Sequence, residues 1–517
     1  MISNSSRKTI LTEISRYMLL GCYILYFIFW WTYKLDVLPG LHGDEAWMGL
    51  KAKEISDDGI MQLTGMNTYT GILQAWLPSV CFDWLGKGVW QLRMSGVLCN
   101  IAALMILIFT FRSFDQKRRA LLFFMIMGQF VFLIISPRIA WEVNSFTFLL
   151  ISLLIFAIHN IHLKNNNALS KGSATLYLIV NIIGTYNHII FSCISISTFI
   201  GLLLWSFNQK SLVYKNFIII NLLNTANLLT LYFLMKYYLN GFASVWWLVI
   251  VVALCFIFAE VYLTKFLLSI PLKKIKFKNP IMVTNPIAII FFFSFIYFHG
   301  FGFFQVVTSN NIFLHFFSYH TNDVERAIFI VSGSLYILLL SIFLIQDMFI
   351  SRDSIFAWML LSYLGLFSIY TTNCSYRYYL SILLLSSIYA SIKLDKHKVC
   401  FYFFITVSIA TISANIILYR IFTRDNQHIR PVKFKLSNGV IETSAHFISD
   451  KALIDFLKKS KASKITYLSN RYFLEEPVRF YYEINPWIKS IDSSVIVDYD
   501  FDRLGTGFKL YRAPKIR

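Results

Sequence analysis

The feature that most constrains this chain is a series of about thirteen apolar runs, each long enough or nearly so to cross a bilayer's hydrocarbon core. They fall at 17–33, 88–111, 120–136, 142–162, 174–189, 190–207, 215–235, 245–269, 283–299, 326–348, 354–370, 377–392 and 400–420. The connections between them alternate in charge. One set carries Arg7, Lys8 and Arg16; "FRSFDQKRR" (111–119); Lys164 and Lys171; Lys210 and Lys215; "PLKKIKFK" (271–278); Arg352; and "KLDKHK" (393–398). The other set, 34–87, "SPRIAWE", 235–247, 300–325 and 371–379, is mostly poorer in cations and often longer. Lysine and arginine accumulate on the cytoplasmic side, which puts the second set outside. An odd number of spans leaves the N-terminus in the cytoplasm and 421–517 outside.

Composition fits the same class. The 517 residues are 57% hydrophobic and 14% charged, whereas a soluble chain is nearer half and a quarter. The net charge of +20 sits mostly between apolar runs, where it orients spans rather than binding nucleic acid. The first run is too long for a cleavable signal peptide and lacks a small-residue cleavage site, so it is expected to stay as the first span. The seven cysteines are scattered, with no CxxC and no zinc pattern. The expected fold class is a polytopic α-helical membrane protein with a transmembrane domain over 1–420. A small extracytoplasmic α/β domain is expected over 421–517.

Two segments outside the spans have patterns of their own. In the tail, Ser449 or Asp450 is placed to cap a helix, and "KITYLS", "SVIVDYD" and "GFKLYR" read as strands. Its aromatic cluster, Tyr472, Phe473, Phe480, Tyr481 and Tyr482, reads as core. The first outer loop, 34–87, is too long for a passive connector. One helix should start at Asp44 and run to about Ser56. A second carries Leu73, Trp76, Leu77, Val80 and Trp84 at helical spacing, as an interface-lying helix would, with Pro78 kinking it. Between them lies the polar turn "GMNTYTG" (65–71).

On this topology the costly polar residues gather outside: Asp44 and Glu45 after the first span, Arg138 and Glu142 in "ISPRIAWEVN", His188 in "GTYNHI", Arg377 in "NCSYRYYL". Ionisable groups at a membrane face mark function when they converge. A carboxylate with two arginines suits transfer of a sugar from a lipid phosphate. The leaving group is already an anion and needs positive charge, which a guanidinium supplies as a planar fork. The acceptor hydroxyl needs a carboxylate to take its proton. Asp44 or Glu45 would be that base, with Arg138 and Arg377 on the phosphate. A single base acting through the acceptor implies inversion, since retention asks for a second carboxylate as nucleophile.

The pieces "GDEAWMGLKAKEI", "NTYTGILQAWL", "LRMSGVL", "SPRIAWE" and "SYRYYL" resemble, in order and spacing, the GT-C membrane glycosyltransferases. The nearest resemblance is to the bacterial aminoarabinose-transferase and protein O-mannosyltransferase branch, which uses polyprenyl-phosphate sugars. It covers roughly 1–420 and is strongest over the first 200 residues. It implies a catalytic acid at Asp44 with Glu45 beside it, and phosphate contacts from Arg138 and Arg377. Many members carry a lysine in the second half of the first outer loop. Here that stretch is "NTYTGIL", so Tyr69, Thr70 and backbone amides near Gly71 would substitute. Glu142 and His188 are weaker substrate-binding candidates. Some relatives bind a divalent metal; no ligand set stands out here, with His42 and His188 the nearest candidates, and no cofactor is required.

The expected partners are a polyprenyl-phosphate sugar donor, an extracytoplasmic acceptor (lipid, glycan or protein) and membrane lipids, with no nucleic acid. The expected site is the outer, periplasmic face of a bacterial inner (plasma) membrane. Structural readings stand beside these roles: Asp44 as a helix cap, though position 47 is Trp and gives no capping box, Arg138 paired with Glu142, Arg377 reaching to the interface among tyrosines. Two other functions stay open. A lipid-linked sugar flippase would want acids near the midplane and repeated halves; only Glu260, near Lys265, lies deep in a span, and no half is duplicated. A glycan polymerase or ligase with a pyrophosphate-linked donor would not need the carboxylate-bearing first loop.

Overall fold

The structure is a computed structural model. It describes residues 4–59, 65–67, 69–113, 117–141, 143–163, 171–209, 303–309, 312–317, 319–347, 355–368, 376–394 and 400–423, and in the tail 433–435, 441–443, 462–467, 471–484, 493–498 and 509–512. The runs expected at 215–235, 245–269 and 283–299 lie outside these, as do Glu260 and the helix expected from Ser449 or Asp450.

The first half is a string of helices: α1 (Asn4–Thr32), α2 (Gly43–Asp58), α3 (Leu73–Leu85), α4 (Val89–Ser113), α5 (Lys117–Gln129), α6 (Val131–Ile135), α7 (Asn144–Leu163), α8 (Lys171–Asn187) and α9 (Phe191–Gln209). Further along come the helices Asp323–Gln346, Ile355–Ser368, Leu380–Leu394 and Cys400–Thr423. Among the described residues, Val89–Phe111, Asp323–Gln346 and Phe403–Thr423 are each long and apolar enough to cross a membrane. With the apolar composition, they make this an integral membrane protein. Packing pairs α4 with α7, α7 with α8, and α9 with Ile355–Ser368. At Gly201 of α9 an added Cβ would lie 2.9 Å from the Met359 backbone nitrogen, so only glycine permits this approach.

The run at 120–136 departs from a simple span. It is broken at Phe130, and its halves, Arg119–Gln129 and Val131–Arg138, meet at 94°. A break inside an apolar bundle exposes backbone N–H groups that must be satisfied locally. Here the Val131 N–H donates to Ser309 Oγ (3.3 Å), and Ser332 Oγ donates to Gln129 Oε1 (2.9 Å). The bend carries the chain into a 3-10 turn, Ser136–Arg138, on which the candidate site is built.

The first and last long helices end together. Trp30 meets Phe422 edge-on, Tyr33 stacks on it, and Lys34 Nζ donates to the Phe422 carbonyl (2.7 Å). The tail therefore leaves the bundle on the face that bears loop 34–87. Asp323–Gln346 starts at the same face. Asn322 and Glu325 close a capping box there, and Arg420 reaches Glu325 Oε1 (2.9 Å). At its other end Asp347 accepts from Tyr389 OH (2.8 Å) and from Lys393.

In the first outer loop, α2 and α3 pack on each other. Gln74, Ala75, Pro78, Ser79 and Phe82 face the protein. Trp76, Val80 and Trp84 face outward, Trp84 at 85% exposure. An apolar stripe turned away from the protein suits a helix lying in the membrane interface. In the tail, Ala462–Tyr467 pairs parallel with Ser493–Asp498, which pairs antiparallel with Lys509–Arg512. The helix Arg471–Ile484 lies on α2. Phe480 and Tyr481 are buried, with Phe480 against Gly49 and near Phe82. Phe480 thus serves the contact with the first loop, where the sequence had implied a core internal to the tail.

Candidate active site

The site begins at the N-terminus of α2, where the first amides have no helical partners. Asp44 was expected to open this helix; His42 does so. The His42 imidazole accepts from the Asp44 N–H at Nδ1 (3.0 Å), and the His42 N–H donates to Glu45 Oε2 (3.0 Å). This reciprocal pair is a capping box with histidine in the place usually held by serine or aspartate. It leaves the Asp44 carboxylate directed at something other than its own helix.

Glu45 is fully buried and holds four donors. Arg93 reaches it from Nε to Oε1 and from Nη2 to Oε2, both at 3.0 Å. The Ala140 N–H adds a bond to Oε1 (2.7 Å), and His42 supplies the fourth. Arg93, equally buried, also donates to the carbonyls of Leu35, Pro39 and Gly40. A buried ion pair is tolerated when its remaining lone pairs and protons are satisfied, as here. Glu45 and Arg93 therefore fasten the start of α2 to α4 and to the turn after α6. Arg93 carries no role in the sequence reading, yet a charge five residues into an apolar run from 88 is itself the signal.

Arg138 does not meet Asp44. Its fork turns to the end of α1, donating to the carbonyls of Tyr33 (2.7 Å), Lys34 (3.1 Å) and Leu38 (2.8 Å and 3.2 Å), and also to Trp30. Its guanidinium lies 4.7 Å from the Phe422 ring centroid. The last carbonyls of a helix carry partial negative charge and attract a cation. In the structure Arg138 is occupied by the carbonyls at the end of α1 and in the turn that follows it, and it is not brought to Asp44. Glu142 lies outside the described residues.

Arg377, in the 3-10 turn Tyr376–Tyr379, is brought to Asp44. Its Nη1 donates to Asp44 Oδ2 at 2.7 Å, with the two side chains 15% and 10% exposed. Its guanidinium lies over the rings of Trp141 (5.5 Å) and Tyr378 (5.2 Å). Trp141 in turn meets His42 edge-on (5.3 Å) and accepts at its carbonyl from Gln74. Aromatic walls lower the local dielectric and strengthen the pair. Asp44 Oδ2 is also 3.7 Å from His42 Nδ1.

Residues 69–71 pair with the turn that joins α8 to α9. Thr70 bridges His188 in antiparallel fashion, the Ile189 N–H donates to the Tyr69 carbonyl (3.1 Å), and the Gly71 N–H to that of Asn187 (3.1 Å). The Thr70 hydroxyl is buried and exchanges bonds with Asn67, so it serves the turn rather than facing outward as a ligand. Tyr69 is 38% exposed. The His188 ring meets Tyr69 at 5.4 Å and Tyr378 at 5.7 Å. Burial, reinforced by the charge of Arg377, pushes its pKa down to about 3, so it is neutral at ordinary pH. Among the described residues no three His, Cys, Asp or Glu side chains gather as a metal-ligand set.

No family model matches the chain, and no curated protein does. Among solved structures it is similar to ArnT from Cupriavidus metallidurans bound to undecaprenyl phosphate, with a TM-score of 0.52 and 10% identity over 93% of this chain and 92% of that one. The apo state of the same ArnT gives 0.49 at 10% identity, over 92% of each chain. The archaeal oligosaccharyltransferase AglB from Archaeoglobus fulgidus, in complex with an inhibitory peptide and a dolichol-phosphate, gives 0.49 at 13% identity, over 94% and 70%. The first of these likenesses shows that the chain shares the fold of ArnT.

Proposed function

We propose that this chain, which shares the fold of ArnT, is an inverting membrane glycosyltransferase. It would move one monosaccharide from a polyprenyl-phosphate donor to an extracytoplasmic lipid, glycan or protein. One observation carries the reading: the 2.7 Å contact between Asp44 and Arg377, largely buried among aromatic rings. A carboxylate touching a guanidinium provides the two opposite demands of this chemistry, a proton acceptor and a phosphate clamp. ArnT, a solved structure of matching fold, is bound to undecaprenyl phosphate in its own structure.

In the proposed step the acceptor oxygen attacks the anomeric carbon as the carbon–oxygen bond to the phosphate breaks. The polyprenyl phosphate keeps the bonding electron pair, and the hydroxyl proton goes to the Asp44 carboxylate. Arg377 stabilises the charge gathering on the phosphate, with Tyr69 as a second donor from the first loop.

Glu45 and Arg93 set the start of α2 and so the position of Asp44; Arg138 fixes the end of α1. Residues 1–420 form the transferase domain in this reading. The segment 421–517 is a small α/β domain on the same face, positioned to meet acceptor. In this reading that face is the outer one of a bacterial inner membrane, which the charge alternation of the connections supports. Asp44→Asn tests the reading: transfer should fall about a hundredfold or more with folding and membrane insertion intact. Full activity in that variant would end the base assignment.

A further inference from the structure

We propose that His188 is a neutral hydrogen-bond donor to the donor lipid's phosphate, acting from Nε2–H beside Arg377; this rests on the polyprenyl-phosphate reading above. The ring sits in the turn between α8 and α9 and is only 2% exposed. Its Nδ1 accepts from the Ile190 N–H (3.1 Å), which fixes the proton on Nε2. Among the described residues, that buried Nε2 has no hydrogen-bond partner. Leaving a buried donor unmade is costly, and such groups call for a functional explanation.

The surroundings select the ligand. The imidazole contacts the rings of Tyr69 and Tyr378, and Arg377 lies over the second of these at 5.2 Å. A ligand here must accept a hydrogen bond and, next to a guanidinium, gains by being anionic. A phosphate oxygen meets both conditions. Two backbone hydrogen bonds, at Tyr69 and Gly71 on either side of Thr70, tie the first outer loop to this turn. The histidine is therefore held on a fixed frame, as a positioning contact requires. Burial and the Arg377 charge keep it from protonating, so it contributes a directed donor and no charge. The division of labour is then charge from Arg377 and direction from His188.

The test uses the purified full chain with undecaprenyl phosphate as probe, and with undecaprenol and inorganic phosphate as separate arms. His188→Phe keeps the ring contacts and removes the donor. His188→Asn keeps an acceptor near the Ile190 N–H but not the outer donor, while His188→Gln can place an N–H near the Nε2 position. One lost bond to a charged acceptor should weaken undecaprenyl phosphate about tenfold or more in the Phe and Asn variants. The Gln variant should stay within about threefold, and undecaprenol binding should not change. Weakened inorganic phosphate in the same variants would support a headgroup contact independent of the chain. Wild-type affinity in a folded Phe or Asn variant would overturn the proposal, as would equal losses in Asn and Gln, or parallel loss of undecaprenol. A wild-type chain that binds no undecaprenyl phosphate would overturn the functional reading itself.

Discussion

Arg377 donates to Asp44 Oδ2 over 2.7 Å, joining side chains 333 positions apart. The carboxylate lies in the first turn of α2, and the arginine lies in the short turn before the helix Leu380–Leu394. Neither element alone holds both halves of the proposed chemistry.

Arg377 is the proposed phosphate clamp, so its loss should appear in donor binding. Arg377→Ala should raise the donor KM by about tenfold or more. Arg377→Lys should recover only part of this, because an ammonium lacks the planar fork. Steady-state kinetics over donor concentration separate KM from kcat. An unchanged KM in Arg377→Ala would remove the clamp.

The Glu45–Arg93 pair predicts a different phenotype. Breaking a buried, hydrogen-bonded ion pair strands a charge and costs about 3–5 kcal/mol. Glu45→Gln should therefore lower thermal stability in detergent far more than Asp44→Asn, whose carboxylate is not enclosed by four donors. A thermal scan of both variants distinguishes holding from reacting residues. Equal stability in the two would contradict the division.

Gly49 sets the seat of the tail helix. An added Cβ would lie 2.4 Å from Phe480 Cε2, so the ring must move. Gly49→Ala should destabilise by about 1–3 kcal/mol, the usual cost of overpacking. In Gly49→Ala/Phe480→Ala that clash is absent, and the two losses should not add. Additive losses would show that helix Arg471–Ile484 is not seated there.

The His188 ring predicts an acid-sensitive contribution to stability. Burial, then the Arg377 charge, lower its folded pKa to about 3. The unfolded chain takes up this proton below about pH 6.5 while the folded chain does not, so stability is lost as pH falls from there toward 3. By pH 5 the loss is about 2 kcal/mol. His188→Gln should flatten that part of the melting-temperature profile between pH 7 and pH 5. An identical profile would contradict a neutral, buried imidazole.

Much of the membrane region was legible because apolar length is a local property; α4, α7 and the helix Cys400–Thr423 lie close to their apolar runs. The bend at Phe130 was not, because its donors are answered by Ser309 and Gln129 is held by Ser332, both far along the chain. In the site, the convergence of Asp44 and Arg377 on one face follows from alternation of the connections. The cap is not legible because histidine seldom holds that place, whereas Asp44, in the first turn beside it, is of a common capping type. Arg138 reaches the carbonyls of the segment from Trp30 to Leu38, a contact that its place in "SPRIAWE" does not reveal. Residue type cannot say whether a guanidinium meets a phosphate or backbone carbonyls, since that depends on how the chain turns after α1. Arg93 could have been found, as a charge within an apolar run demands a buried partner.

The central claim is that Asp44 takes the acceptor's proton while Arg377 holds the donor's phosphate. Its most direct measurement is consumption of polyprenyl-phosphate monosaccharides, offered as a panel with acceptor-bearing membranes, by wild type and Asp44→Asn, with donor binding measured in parallel. The account predicts that wild type consumes one donor. Asp44→Asn should bind it at least as tightly, since Arg377 is no longer drawn to a carboxylate, and turn it over about a hundredfold to ten-thousandfold more slowly. Turnover by Asp44→Asn at the wild-type rate would contradict it.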